Sequence, residues 1–200
     1  MQYGGENPKM MYRMYTNLFC VGLVLGIFVL NVGKKYFLER TGLLDENTLY
    51  QMKYMTVNSA ELFWYVFRKR ILGVLLLLVA STTYLGLVAC RGIVVWYGCS
   101  AGIFLAALLA RYGLKGVLLA VVSVFPQYVL YVPAMFLLLR WCEVLFRGIY
   151  FRGGEGVAED KKTVMARAGK IFLIIIAMTV GCVLESYVNP YLLLRFLKSF

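Results

Sequence analysis

The stretch SVFPQYVLYVPAMFLLL, residues 123–139, holds no charge, two prolines and one glutamine. Its apolar background reaches back to Val117 and stops at Arg140. Such a run is long enough to cross a hydrocarbon core of about 30 Å at ~1.5 Å per residue. Pro126 and Pro133 each remove a backbone donor and crowd the carbonyl four residues earlier, which predicts a helix that kinks or breaks. Gln127 can hydrogen-bond the carbonyls so released. Irregular backbone at membrane depth survives only where protein or water covers it. The segment therefore belongs inside a helix bundle or against a partner.

The rest of the chain has the same character. Of 200 residues, 62% are hydrophobic and only 16% charged, and the mean hydropathy of +0.75 is that of an integral membrane protein. Five apolar runs bounded by charge stand out: 15–33, 71–90, 93–110, 117–139 and 171–194. The expected fold is an all-α, polytopic membrane helix bundle of about five transmembrane helices, one membrane domain over residues 1–200. The first run follows Lys9 and Arg13 but leads into NVGKKYF, with no small-x-small cleavage site, and reads as an uncleaved anchor. Between the runs lie an outer, partly amphipathic segment, 34–70, and a loop, 140–170.

The net charge of +11 sits at the ends of apolar runs, where Lys and Arg meet phospholipid head groups, so membrane lipid rather than nucleic acid is the partner it implies. The positive-inside rule hardly discriminates: ten of the 21 basic residues fall on one side and eleven on the other. The water-soluble character of EDKKTVMARAGK places the 140–170 loop in the cytoplasm, together with the N-terminus. On the other side, ELFWYV before FRKR suits the head-group level. Asn58 with Glu61 three residues on has capping spacing and predicts a helix from about Ser59 to Cys90, preceded by a short amphipathic helix started by Asp45. The five cysteines, without CxxC spacing, are expected to be free thiols.

Within the spans, Gly22 with Gly26 and Gly98 with Gly102 form two GxxxG spacings, which let helix backbones approach closely where lipid offers no hydrophobic drive. Packing within the chain is one use and a homo-oligomer interface the other. Glu185 in LESYVNPYL is the acid at bilayer depth, where a carboxylate costs roughly 3 kcal/mol and calls for a partner or water. Asn189 and Pro190 can end this helix early, which would bring Glu185 to the outer interface, and Asn31 is a candidate hydrogen-bond partner for it.

Catalytic signals are scarce. The chain has no histidine, the commonest general base and metal ligand. Glu39, Asp45, Glu46 and Glu61 have no catalytic context, and RGGEGVAED lacks a preceding strand and the P-loop lysine and hydroxyl. The reading is a protein with no catalytic residue, no metal site and no cofactor.

LLAVVSVFPQYVLYVPAMFLL, LESYVNPYLL and VGLVLGIFVLN followed by a polar segment resemble the corresponding parts of the stage II sporulation protein M family, over nearly the whole chain. The resemblance implies a multi-pass membrane protein of endospore formers, in the mother-cell membrane at the sporulation septum. It implies a non-catalytic scaffold for two peptidoglycan hydrolases, sporulation proteins D and P, which thin the septal wall during forespore engulfment. No residue role carries over from it. A different class stays open from the residues themselves: a transporter or channel subunit, with a broken span and Glu185 lining a polar path.

Overall fold

The computed structural model describes residues 8–34, 36, 58–150 and 161–199, and among them every regular element is helical. The order is α1 (Pro8–Val32), α2 (Ser59–Ser81), α3 (Gly86–Val124), α4 (Tyr128–Tyr150), α5 (Lys161–Val183), a π-helical turn (Leu184–Val188) and α6 (Asn189–Ser199). Among the described residues, four helices are long and apolar enough to cross a membrane: Met10–Val32, Gly86–Val124, Tyr128–Arg147 and Gly169–Arg195. The short helix expected at Asp45 and the glycine-rich RGGEGVAED lie outside the described residues.

The chain divides into two compact units, one containing α1 and residues 91–121, the other residues 56–90 and 122–195. In the first unit, the four glycines of the two GxxxG spacings face one another. A Cβ at Gly22 would strike the Val95 carbonyl, one at Gly26 the Cys99 carbonyl, one at Gly98 the Phe19 carbonyl and one at Gly102 the Leu23 carbonyl. α1 and α3 therefore meet backbone to backbone, and this face is filled from within the chain. α3 itself is interrupted at Gly113, whose φ of 57° and ψ of −138° are open to glycine and strained for other residues. Beyond it a Cβ at Gly116 would strike the Leu108 carbonyl, so the chain doubles back closely on itself there.

In the second unit, α2 begins as the sequence indicates: Asn58, in extended backbone, accepts from the Ala60 N–H at 3.2 Å. It does not continue to Cys90. The Ser81, Thr82 and Thr83 hydroxyls donate to the carbonyls of Leu78, Val79 and Ala80 at 2.7, 2.8 and 2.7 Å. The Tyr150 hydroxyl donates to the Thr82 carbonyl at 3.1 Å. A helix end normally leaves four carbonyls without partners; here hydroxyls reach three of them, Leu78, Val79 and Ala80, and the Thr82 and Thr83 N–H groups also donate to the last two. α3 then leaves at once, and Gly86 has no side chain because a Cβ would lie 2.9 Å from Ser81 backbone atoms and 3.0 Å from the Phe146 ring. The apolar run 71–90 is thus a helix end, a turn and a new helix, rather than one span.

The span expected over 117–139 is likewise divided. α3 ends at Val124, the chain turns through Phe125–Gln127 with a cis Phe125–Pro126 peptide, and α4 starts at Tyr128. Pro126 breaks the helix as its chemistry requires, whereas Pro133 is carried inside α4, near its start, where it removes only the bond to Val129. The 140–170 segment is helical at both ends, since α4 runs on to Tyr150 and α5 begins at Lys161.

Candidate functional site: an ion pair at the proline break and the π-turn

α5 does not stop at Asn189 and Pro190. The helix widens into the π-turn Leu184–Val188, where the Asn189 N–H reaches back five residues to the Leu184 carbonyl. Pro190 offers no N–H and its ring would crowd the Ser186 carbonyl in a regular helix. The wider turn makes room for it and lets α6 continue. Single-turn π insertions of this kind frequently mark functional positions.

The π-turn also sets the direction of Glu185. One terminal nitrogen of Arg70, in α2, donates to both carboxylate oxygens, at 3.2 and 3.1 Å. The Tyr131 hydroxyl, in α4, donates to Glu185 Oε2 at 2.7 Å. The Arg70 guanidinium lies over the Tyr131 ring at 4.6 Å from its centre, so the same tyrosine serves the cation with its face and the anion with its hydroxyl. The Tyr131 oxygen is also 3.3 Å from Cys182 Sγ. A phenol has one proton, and the carboxylate is the stronger acceptor, so the thiol is left to donate to the phenol oxygen. Arg70 and Glu185 keep 26% and 22% of their side-chain surface exposed, which makes this a half-buried pair and neither a surface pair nor a sealed one.

Packing holds the three residues in place. Tyr131 is buried with Val66 and Cys182, and Leu62, Phe63, Phe67 and Met178 surround them. A Cβ at Gly181 would fall 2.5 Å from the Tyr131 ring, so the ring packs this closely against α5 only because residue 181 has no side chain. On α2 the Phe63 and Phe67 rings stack at 5.6 Å and Trp64 meets Phe67 edge-on at 6.1 Å.

Beside the ion pair, two side-chain amides converge on one backbone carbonyl. Gln127 Nε2 donates to the Ser123 carbonyl at 2.7 Å and Asn189 Nδ2 donates to the same oxygen at 3.1 Å. The break at Pro126 is therefore answered from both sides, by the glutamine next to it and by the asparagine that opens α6.

The sequence singled out Pro126, Gln127, Glu185, Asn189 and Pro190, and the fold brings these together in the second unit. Pro133 stands in α4 two residues past Tyr131. Gly22, Gly26, Gly98 and Gly102 belong to the first unit. Asn31 is not the partner of Glu185: it donates to the Ile27 carbonyl of its own helix at 3.0 Å. The sequence reading missed Arg70, treated there as one head-group base among the three of FRKR. The signal was present, because an acid at bilayer depth calls for a base, and Arg70 is the member of FRKR next to the apolar run. Tyr131, Cys182 and Gly181 carried no distinguishing mark. All five cysteines are free thiols. Among the described residues, no three His, Cys, Asp or Glu side chains gather as metal ligands would.

The fold and its site define an all-helical membrane protein in which an acid carried on an apolar helix is tied into the helix packing. A family model described as "Stage II sporulation protein M" matches residues 15–190. The chain belongs to that family, a family of sporulation-related membrane proteins. Neither the curated proteins nor the solved structures compared with the chain gave a match.

Proposed function

We propose that this protein is a non-catalytic membrane scaffold that gathers peptidoglycan hydrolases, of the kind of sporulation proteins D and P, at the mother-cell membrane of the sporulation septum. There it supports wall thinning and engulfment of the forespore. Family membership supports this reading. The observation that carries it over a transport role is the state of Glu185: its carboxylate takes both Arg70 and the Tyr131 hydroxyl. A carboxylate that binds or relays an ion along a path has to exchange partners with water or cargo. This one is engaged in holding α2, α4 and the π-turn together. The aromatic cluster beside it, with Trp64 and Tyr65 exposed on α2, offers a rim for a partner's membrane anchor or juxtamembrane segment.

The test is affinity purification of the tagged protein from sporulating cells in gentle detergent, followed by mass spectrometry. Recovery of two wall hydrolases is the expected result. Recovery of the protein alone, under conditions that keep other membrane complexes intact, would count against the scaffold. Flux through the reconstituted protein in liposomes that is lost on Glu185→Gln would replace it with the transport reading.

A further inference from the structure

The two amides that share the Ser123 carbonyl have a fixed orientation, because a carbonyl can only accept and each amide must turn its nitrogen towards it. Their oxygens are thereby turned elsewhere. Gln127 Oε1 and Asn189 Oδ1 are both cut off from solvent, and neither meets a donor among the described residues. Gln127 as a whole is 3% exposed. Ser186 stands three residues before Asn189, wholly buried, and its hydroxyl also meets no partner among the described residues. Buried polar atoms are nearly always hydrogen-bonded, and each one left unmet is costly.

We infer that this cluster is a binding site for one internal water molecule, which donates its two protons to Gln127 Oε1 and Asn189 Oδ1 and accepts from the Ser186 hydroxyl. The stoichiometry decides the ligand class. Two acceptors and one donor match a water with three hydrogen bonds, the usual number for a buried water. A monovalent cation would find only neutral oxygens here. Glu185, four residues before Asn189, already balances Arg70, so it lends no free negative charge to offset the desolvation of an ion. The water links the break after Val124 to the start of α6, two places where proline has removed backbone donors. It completes the hydrogen bonding that backbone irregularity requires at membrane depth.

The experiment uses the whole protein in lipidic phase, in two parts. The first is a crystal structure at a resolution that shows other internal waters. Density within hydrogen-bonding distance of both amide oxygens is expected, and its absence would overturn the site. The second is the thermal unfolding midpoint in sodium, potassium and choline chloride at equal ionic strength. The midpoint is expected to be the same in all three. A midpoint raised by several degrees in sodium or potassium alone would show that the oxygens hold a cation and would overturn the assignment to water. Both measurements are made on the wild-type chain, so neither depends on a variant that folds.

Discussion

Replacing Arg70 by methionine and Glu185 by glutamine, singly and together, measures how much of the second unit depends on one ion pair. Exposed pairs contribute up to about 1 kcal/mol, and breaking a sealed pair costs about 3–5 kcal/mol because the remaining charge is stranded. With roughly a quarter of each side chain exposed, this pair lies between those limits. Glu185→Gln keeps an acceptor for Tyr131 but leaves the Arg70 cation over the ring without an anion, and should cost about 2 kcal/mol. Arg70→Met strands the carboxylate, which retains the Tyr131 hydroxyl, and should cost about the same. The double variant strands nothing. Its loss should fall short of the sum of the single losses by about 1–2 kcal/mol, a coupling within the range seen for groups in contact. The assay is reversible unfolding in mixed micelles followed by circular dichroism, with all four proteins measured in one denaturant series. Single losses that simply add, with coupling under about 0.3 kcal/mol, would refute the claim that the two charges hold the helices together.

Three further outcomes are expected. Gly26→Val and Gly102→Val place side chains against the Cys99 and Leu23 carbonyls, and each should lower stability by about 1–3 kcal/mol, whereas Gly73→Ala, with open space around it, should be neutral or slightly stabilising in the same assay. Thr83→Val removes the hydroxyl bonded to the Ala80 carbonyl at almost constant shape and should cost about 1 kcal/mol in thermal unfolding, with Ser81→Ala giving a similar loss at the Leu78 carbonyl. The Cys90 and Cys142 thiols are hydrogen-bonded neighbours. A variant that keeps these two cysteines and lacks the other three should form an internal disulfide with a membrane-permeant oxidant, read as a loss of labelling by maleimide after denaturation; full labelling would contradict this packing.

Composition made the class legible, because a 62% hydrophobic chain has few other places to be. The glycine spacings and the role of Gln127 at Pro126 were also legible, since each follows from the local chemistry of one residue type. The ends of helices were less so. Counting apolar residues cannot distinguish a run that crosses the bilayer from one that turns within it. In STT the hydroxyls substitute for water, and Ser and Thr weigh little on any hydropathy scale. The π-turn was hidden for a related reason: Asn189 and Pro190 look like a stop, and only the wider turn before them shows how the helix passes through. The partner of Glu185 was half legible: the acid called for a base and Arg70 borders an apolar run, but the pairing itself spans 115 residues of sequence, a matter of topology and not of motif.

The self-sufficient turn at residues 82–85 has a practical consequence for mapping this protein in its membrane. Tyr84 and Leu85 stand exposed on its surface, and the Leu78, Val79 and Ala80 carbonyls at the end of α2 are met from within the chain. Such a turn can lie in hydrocarbon as well as in the head-group layer. A cysteine placed at residue 84 would stay protonated in hydrocarbon and escape impermeant thiol reagents from either face. Labelling scans would then record 71–90 as an unbroken crossing, the same count that hydropathy gives. Agreement between those two approaches would be two readings of one property, and only distances between residues on either side of the turn would reveal it.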